Sequence, residues 1–133
     1  MASVLALLAE RDTALRQLMA LALKGAGCNV RQCSNVLQLK AELYSSPIRA
    51  AARALLVLNV EIGAHCASEL AVLGRARASE RIAGAAFVFV REFGGSKGLA
   101  LSGLDQDSVL GVFEKPFDLD DLERIARAYC SRP

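Results

Sequence analysis

Short apolar runs recur along the chain, and a helical pattern or a polar, glycine-rich stretch separates each from the next. Such continuous runs indicate strands that are buried on both faces of a sheet. Parallel pairing is favoured, because parallel neighbours need long, right-handed crossover connections. The sequence therefore predicts an α/β fold with a doubly wound, five-stranded parallel sheet in the order 2-1-3-4-5. The predicted strands are Val4–Ala9, Asn29–Cys33, Ala54–Val60, Ala85–Val90 and Val109–Phe113.

Helical periodicity fills most of the stretches between these strands. The first helix is predicted from Thr13, and a second after Ser34 or Asn35, either of which suits the N-cap, with an interruption at Pro47. A last helix is predicted to begin at Asp118. A further helical face is formed by Ala67, Leu70, Ala71 and Gly74. The core stripe of the last helix is predicted to be Leu119, Leu122, Ile125, Ala126 and Tyr129.

Composition limits the functions open to this chain. Its 133 residues suffice for one self-stabilising domain, predicted to span 1–133. The net charge of +2 comes from scattered charges, which argues against direct nucleic-acid binding. No run is long enough to cross a membrane, and four irregularly spaced cysteines indicate reduced thiols. We therefore expect a cytoplasmic protein with no membrane contact.

Polar residues follow three of the predicted strands. Glu10, Arg11 and Asp12 follow the first strand, Asn59 lies at the end of the third, and Lys115 follows the fifth. In a doubly wound sheet, ligands bind beyond the carboxyl ends of the strands. These side chains are therefore the predicted functional site.

The segment Lys115-Pro116-Phe117 has a counterpart in a known family. Together with the strand order and the sequence Leu-Val-Leu-Asn ending at Asn59, it resembles response-regulator receiver domains of two-component phosphorelay signalling across essentially the whole chain. The resemblance implies a flavodoxin-like fold and a lysine that contacts a phosphoryl group. It also implies a proline that often follows a cis peptide bond.

The catalytic residues that the resemblance implies are mostly replaced. The family's acidic pair, which holds magnesium, corresponds to Glu10 and Arg11, and its phosphoacceptor aspartate corresponds to Asn59. An amide oxygen lacks the charge and basicity to attack phosphorus and form an acyl phosphate. The sequence therefore predicts no catalytic residue and no enzymatic activity.

Two further positions differ from the family pattern. The Ser/Thr that contacts the phosphoryl group corresponds to Arg91, or to Val90 if the alignment moves by one residue. The switch aromatic corresponds to Val112. Neither position retains the side chain on which phosphoryl-dependent switching depends in the family.

The charge of the predicted site also disfavours a metal. Glu10, Arg11 and Lys115 leave one net positive charge, and Arg91 adds a second. Magnesium needs oxygen ligands and negative charge nearby, so we expect no magnesium and no cofactor. Asp12 and Glu61 are near in sequence and leave the sign of the pocket open.

Two of these cations have alternative interpretations. Arg11 either occupies the metal position and pairs with Glu10, or is solvated and points away. Lys115 either keeps a residual anion contact, or is retained because the Lys-Pro turn sets the start of the last helix. Residues 94–98 are more typical of a connector than of a phosphate-binding nest.

The predicted function is an atypical receiver, or pseudo-receiver, that is not phosphorylated and acts by protein–protein interaction. Its partner would be a signalling protein or effector domain, and homodimerisation stays open. One alternative is a small-anion or nucleotide sensor that uses Arg11, Arg91 and Lys115. Another is a receiver phosphorylated at a non-standard residue, such as Asp12 or Glu61.

Overall fold

Five parallel strands form one sheet at the centre of the molecule. The computed structural model describes residues 4–71, 85–92 and 106–132. The strand order is β2-β1-β3-β4-β5 and every neighbouring pair is parallel, so the predicted fold class and order are confirmed. The strands are β1 (Leu5–Ala9), β2 (Asn29–Cys33), β3 (Ala54–Asn59), β4 (Ala85–Arg91) and β5 (Val109–Glu114).

Helices connect the strands and begin at side-chain caps. The helices are α1 (Thr13–Gly25), α2 (Val36–Leu43), α3 (Ser46–Ala50), α4 (Val60–Ala64) and α5 (Leu119–Cys130), and residues 67–71 are also helical. Asp12 caps α1 by accepting a hydrogen bond from the Leu15 N–H at 3.0 Å. Asn35 and Asp118 cap α2 and α5 in the same way. None of the helices in these described ranges is long and apolar enough to cross a membrane.

Side chains alternate along each strand between two apolar clusters. On one face, Leu7, Leu56 and Phe87 pack with residues of α2 and α3. On the other face, Leu8 and Val57 pack with residues of α1 and α5. All of these strand residues are fully buried, so the central strands can be apolar at consecutive positions.

Several predicted boundaries need correction. β3 ends at Asn59 rather than Val60, because the Asn59 side chain caps a helix that begins at the next residue. Asp118 is the cap of α5 and not its first residue. The break between α2 and α3 precedes Pro47, which lies in the first turn of α3, where proline lacks no needed hydrogen bond.

Other boundaries differ by a single residue. β1 begins at Leu5, whereas β4 and β5 extend to Arg91 and Glu114. Three predictions fall outside the described residues: the helical position of Gly74, the connector at 94–98 and the uncertain segment at 99–104.

Candidate functional site

Glu10 is a buried carboxylate at the carboxyl end of β1. Its residue is 1% exposed, and its backbone N–H continues the β1–β2 ladder by donating to the Cys33 carbonyl at 3.1 Å. One carboxylate oxygen, Oε2, accepts a hydrogen bond from the Asp12 N–H at 2.8 Å. A charge removed from water in this way needs a charged partner, because one hydrogen bond does not replace its hydration.

Lys115 is that partner. Its Nζ donates to Glu10 Oε2 at 3.0 Å and to Glu92 Oε1 at 2.9 Å. Nζ also lies 3.0 Å from Glu10 Oε1, although this contact lacks hydrogen-bond geometry. The Lys115 N–H donates to the Arg91 carbonyl, and a cis peptide bond joins Lys115 to Pro116. The lysine ammonium therefore bridges carboxylates from the ends of β1 and β4.

The two carboxylates determine the protonation of Lys115. Burial alone lowers the pKa of a lysine, since it disfavours the charged form. The hydrogen bonds and charges of Glu92 and Glu10 outweigh burial and hold the pKa of Lys115 above its ordinary value. The ammonium is thus charged at neutral pH.

Asn59 is buried at the end of β3, and its side chain is engaged by the backbone. Oδ1 accepts hydrogen bonds from the N–H groups of Glu61 at 3.0 Å and Ile62 at 3.3 Å. These groups would otherwise be unpaired at the start of α4. The residue at the predicted phosphoacceptor position therefore acts as a helix cap.

Arg11 does not pair with Glu10. Its side chain is 69% exposed and lies 3.8 Å from Glu61 Oε2, while Lys115 occupies the contact with Glu10. The interpretation of Arg11 as the residue that pairs with Glu10 is therefore wrong. The reason is the direction of the chain after β1, which buries Glu10 and leaves the next side chain in solvent.

Arg91 and Val112 also point away from the buried pair. Arg91 Nη2 lies 3.2 Å from Glu114 Oε2, across the β4–β5 pairing. Arg91 Nε is buried and has no hydrogen-bond partner among the described residues. Val90, not Arg91, is the strand neighbour of Asn59, and Val112 is 52% exposed. The three predicted cations thus contact different carboxylates and do not converge.

Glu92 is the site residue that sequence reasoning missed. It brings a second carboxylate to Lys115, so the buried group of Glu10, Glu92 and Lys115 carries one net negative charge. The predicted positive sign of the pocket is therefore wrong for this group. A signal existed in the sequence, because Glu92 directly follows β4 at the same sheet edge as Glu10 and Lys115.

These residues do not suit magnesium. The Glu10 carboxylate is bound to an ammonium and an N–H, and the Asn59 oxygen is bound to two N–H groups. Within residues 4–71, 85–92 and 106–132, no three His, Cys, Asp or Glu side chains are grouped to hold a metal ion. A divalent cation would have to displace Lys115 from Glu10 first.

A cleft of ≈ 390 Å³ opens beside the buried pair. It is lined by Leu15, Glu92, Lys115, Pro116 and Phe117. Phe117 stacks on Phe113 with ring centroids 5.3 Å apart, which fixes one wall. The cleft is thus mainly apolar, with the Glu92–Lys115 pair at one side.

Comparison with known proteins gives similarity in structure only. No protein-family model matches the chain, and no curated protein matches it in sequence. A receiver domain protein from Bacillus halodurans superposes with a TM-score of 0.68 at 12% identity, covering 100% of this chain and 99% of that one. CheY4 of Vibrio cholerae gives 0.65 at 13% identity, covering 97% and 99%.

A longer protein contains the same fold as one part. NtrX from Brucella abortus, solved in complex with ADP, gives a TM-score of 0.65 at 19% identity. The match covers 98% of this chain and 26% of NtrX, so the chain spans about a quarter of that protein. With the strand order and the Lys115–Pro116 turn, these similarities show that this chain has the fold of the response-regulator receiver domains.

Proposed function

We propose that this chain is a non-enzymatic signalling module, a pseudo-receiver that binds a protein partner without aspartyl phosphorylation. The observation that carries the proposal is the internal saturation of the site. Lys115 is bound by Glu10 and Glu92, and the Asn59 oxygen caps α4. Each group that would face a phosphoryl group is already used to hold the fold.

Phosphorylation at this site would meet two obstacles. Asn59 offers a neutral amide oxygen, which is too weak a nucleophile to form an acyl phosphate. Lys115 would also have to leave Glu10, and an isolated buried carboxylate is costly. Both obstacles favour a module with one permanent state.

The face formed by β5 and α5 is the proposed binding surface. Val112 and Glu114 alternate outward along β5, and Val112 is one of the exposed large apolar residues among those described. An exposed apolar side chain beside charged neighbours is typical of a protein-binding surface. The proposed partner is a signalling protein or an effector domain in the cytoplasm.

The proposal is tested by an amide NMR titration with magnesium, followed by magnesium plus beryllofluoride, a phosphoryl mimic. Resonances of Glu10, Asn59, Val112 and Lys115 report on the site. We expect no shift beyond that of a matched ionic-strength control. Saturable shifts that extend to Val112 would show a working phosphoryl switch and end the proposal.

Phosphorylation at a non-standard residue is the second candidate, because Glu61 is half-exposed at the start of α4. Asp12 is less suited, since its Oδ1 is held by the Leu15 N–H. Intact-mass measurement after treatment with acetyl phosphate distinguishes the candidates. An added phosphoryl group that disappears in Glu61→Gln, but persists in Asp12→Asn, would support this second candidate over the first.

A further inference from the structure

Two cysteines that are distant in sequence meet at the amino-terminal end of the sheet. Cys28 directly precedes β2, and Cys130 is the last residue of α5. Their Sγ atoms lie 3.5 Å apart although 102 positions separate them in the sequence. Both are free thiols.

The backbone around Cys28 is fixed by the end of α1. Gly27 adopts φ 103°, a conformation that favours glycine, and thereby reverses the chain after the helix. The Cys28 N–H then donates to the Leu23 carbonyl at 3.1 Å. Cys28 itself is only 6% exposed, so its sulfur has little freedom to move away.

Helix α5 is attached to the same corner of the molecule. Arg127 Nη2 donates to the Gly25 carbonyl at 2.8 Å, one turn before Cys130. Leu122, Ala126 and Tyr129 are buried against the sheet and α1. The 3.5 Å separation therefore joins two anchored elements. Rotation about the Cys130 side chain would need to bring the sulfurs only ~1.5 Å closer to reach the disulfide length of about 2.05 Å.

The two thiols differ in access and in acidity. Cys130 is half-buried, so a small reagent reaches it first. Burial, followed by the hydrogen bond and charge of Cys130, raises the pKa of Cys28 to about 12. The last two causes vanish once the Cys130 sulfur is bonded to another sulfur, which favours Cys28 as the second, resolving thiol.

We propose that Cys28 and Cys130 form a reversible dithiol–disulfide site that fastens the end of α5 to the start of β2. The oxidant is a small-molecule disulfide such as oxidised glutathione. The Cys130 thiolate attacks one of its sulfurs, breaks that S–S bond and releases one thiolate. The Cys28 thiolate then attacks the Cys130 sulfur and releases the second. The protein loses two electrons and two protons, and the small disulfide is reduced to two thiols.

Closing this bond has a measurable consequence for stability. The cross-link joins residues 102 positions apart and so restricts a large part of the unfolded chain. Oxidation is expected to raise Tm by about 5–10 °C. The inference does not depend on the proposed function, because both cysteines lie at the sheet end opposite Glu10 and Lys115.

The test uses the whole chain incubated with oxidised glutathione, followed by alkylation, intact mass and peptide mapping. We expect the four alkylatable thiols of the reduced protein to fall to two, with Cys28 linked to Cys130 in a monomer. Tm should rise on oxidation and return on reduction. Retention of four thiols, a different pairing, or glutathione left attached to Cys130 would overturn the proposal.

Variants isolate the pair. In Cys130→Ala, the disulfide and the Tm rise should both be absent, whereas Cys66→Ala should retain both. Each variant is compared with its own reduced form, so a loss of stability from the substitution itself cancels. If Cys66→Ala does not fold, Cys33→Ala replaces it as the control. An unchanged Tm rise in Cys130→Ala would contradict the assignment.

Discussion

The two ends of the sheet hold the molecule together by different chemistry. At the carboxyl end, the buried carboxylate of Glu10 depends on the ammonium of Lys115. At the amino end, Arg53 precedes β3 and donates to the carbonyls of Tyr129 and Arg132, and its guanidinium lies 4.5 Å from the Tyr129 ring centroid. One end relies on a buried ion pair, whereas the other relies on several contacts to neutral groups.

This difference determines how each end responds to the loss of one side chain. Removing one member of a buried ion pair leaves an uncompensated charge in a medium of low dielectric constant. Removing a cation from neutral carbonyls near the surface allows water to replace it. The carboxyl end should therefore be the more sensitive of the two, although it contains fewer contacts.

The largest effect is expected from Lys115→Met, which keeps the length of the side chain but removes its charge. Glu10 would then be buried with only the Asp12 N–H as a partner. We expect the free energy of unfolding to fall by about 3–5 kcal/mol, measured by urea denaturation near pH 7.

The matched control for this variant is the double substitution Glu10→Gln with Lys115→Met. A neutral glutamine still accepts the Asp12 N–H, so most of the lost stability should return. Equal stability of the single and double variants would show that packing of the lysine stem, rather than the buried charge, is what matters.

At the amino end, Arg53→Ala should cost about 2 kcal/mol, because it removes two hydrogen bonds and a cation–π contact. Arg53→Lys keeps a cation but lacks the two-pronged donor geometry, so an intermediate loss is expected. The same urea titration measures both variants. A loss larger than that of Lys115→Met would reverse the proposed ranking of the two ends.

Alkaline pH should weaken both ends, since each contains a buried thiol. Burial raises the pKa of Cys33, at the end of β2, to about 12, as it does for Cys28 at the start of that strand. In the unfolded chain both thiols ionise near pH 9, so their stabilising contribution is complete below that pH and is lost as pH rises toward 12.

The expected decrease is measurable at pH 10 under reducing conditions. Allowing for partial solvent screening, the two thiols together should lower the free energy of unfolding by about 1–2 kcal/mol relative to neutral pH. The double variant Cys28→Ala, Cys33→Ala should show a flatter dependence on pH. If its slope equals that of the unsubstituted protein, other groups cause the alkaline loss.

The sequence predicted the strands, their order and the sheet edge at which Glu10, Asn59 and Lys115 lie, because periodicity and the polar strand ends are local signals. It did not predict which cation reaches Glu10. That choice depends on distances between chain ends in space, which put Lys115 rather than Arg11 at the buried carboxylate.

The other misses have similar causes. The early start of α4 follows from the Asn59 side chain, whose capping role was hidden by its likeness to a phosphoacceptor position. The contact of Cys28 with Cys130 joins residues near opposite ends of the chain. Neither feature has a periodic signal in the sequence.

The smallest effect is expected from Arg11→Ala. The arginine and its partner Glu61 are both more than half exposed and 3.8 Å apart, so water and salt screen their attraction. We expect less than about 0.5 kcal/mol of lost stability by urea denaturation, and no further loss at high salt. The same variant tests the small-anion alternative, which needs Arg11 close to Lys115. If phosphate raises Tm of the unsubstituted protein but not of Arg11→Ala, this exposed cation recruits anions to the cleft. The carboxyl end would then be a binding site, whereas an equal response in both proteins would leave it a buried structural pair.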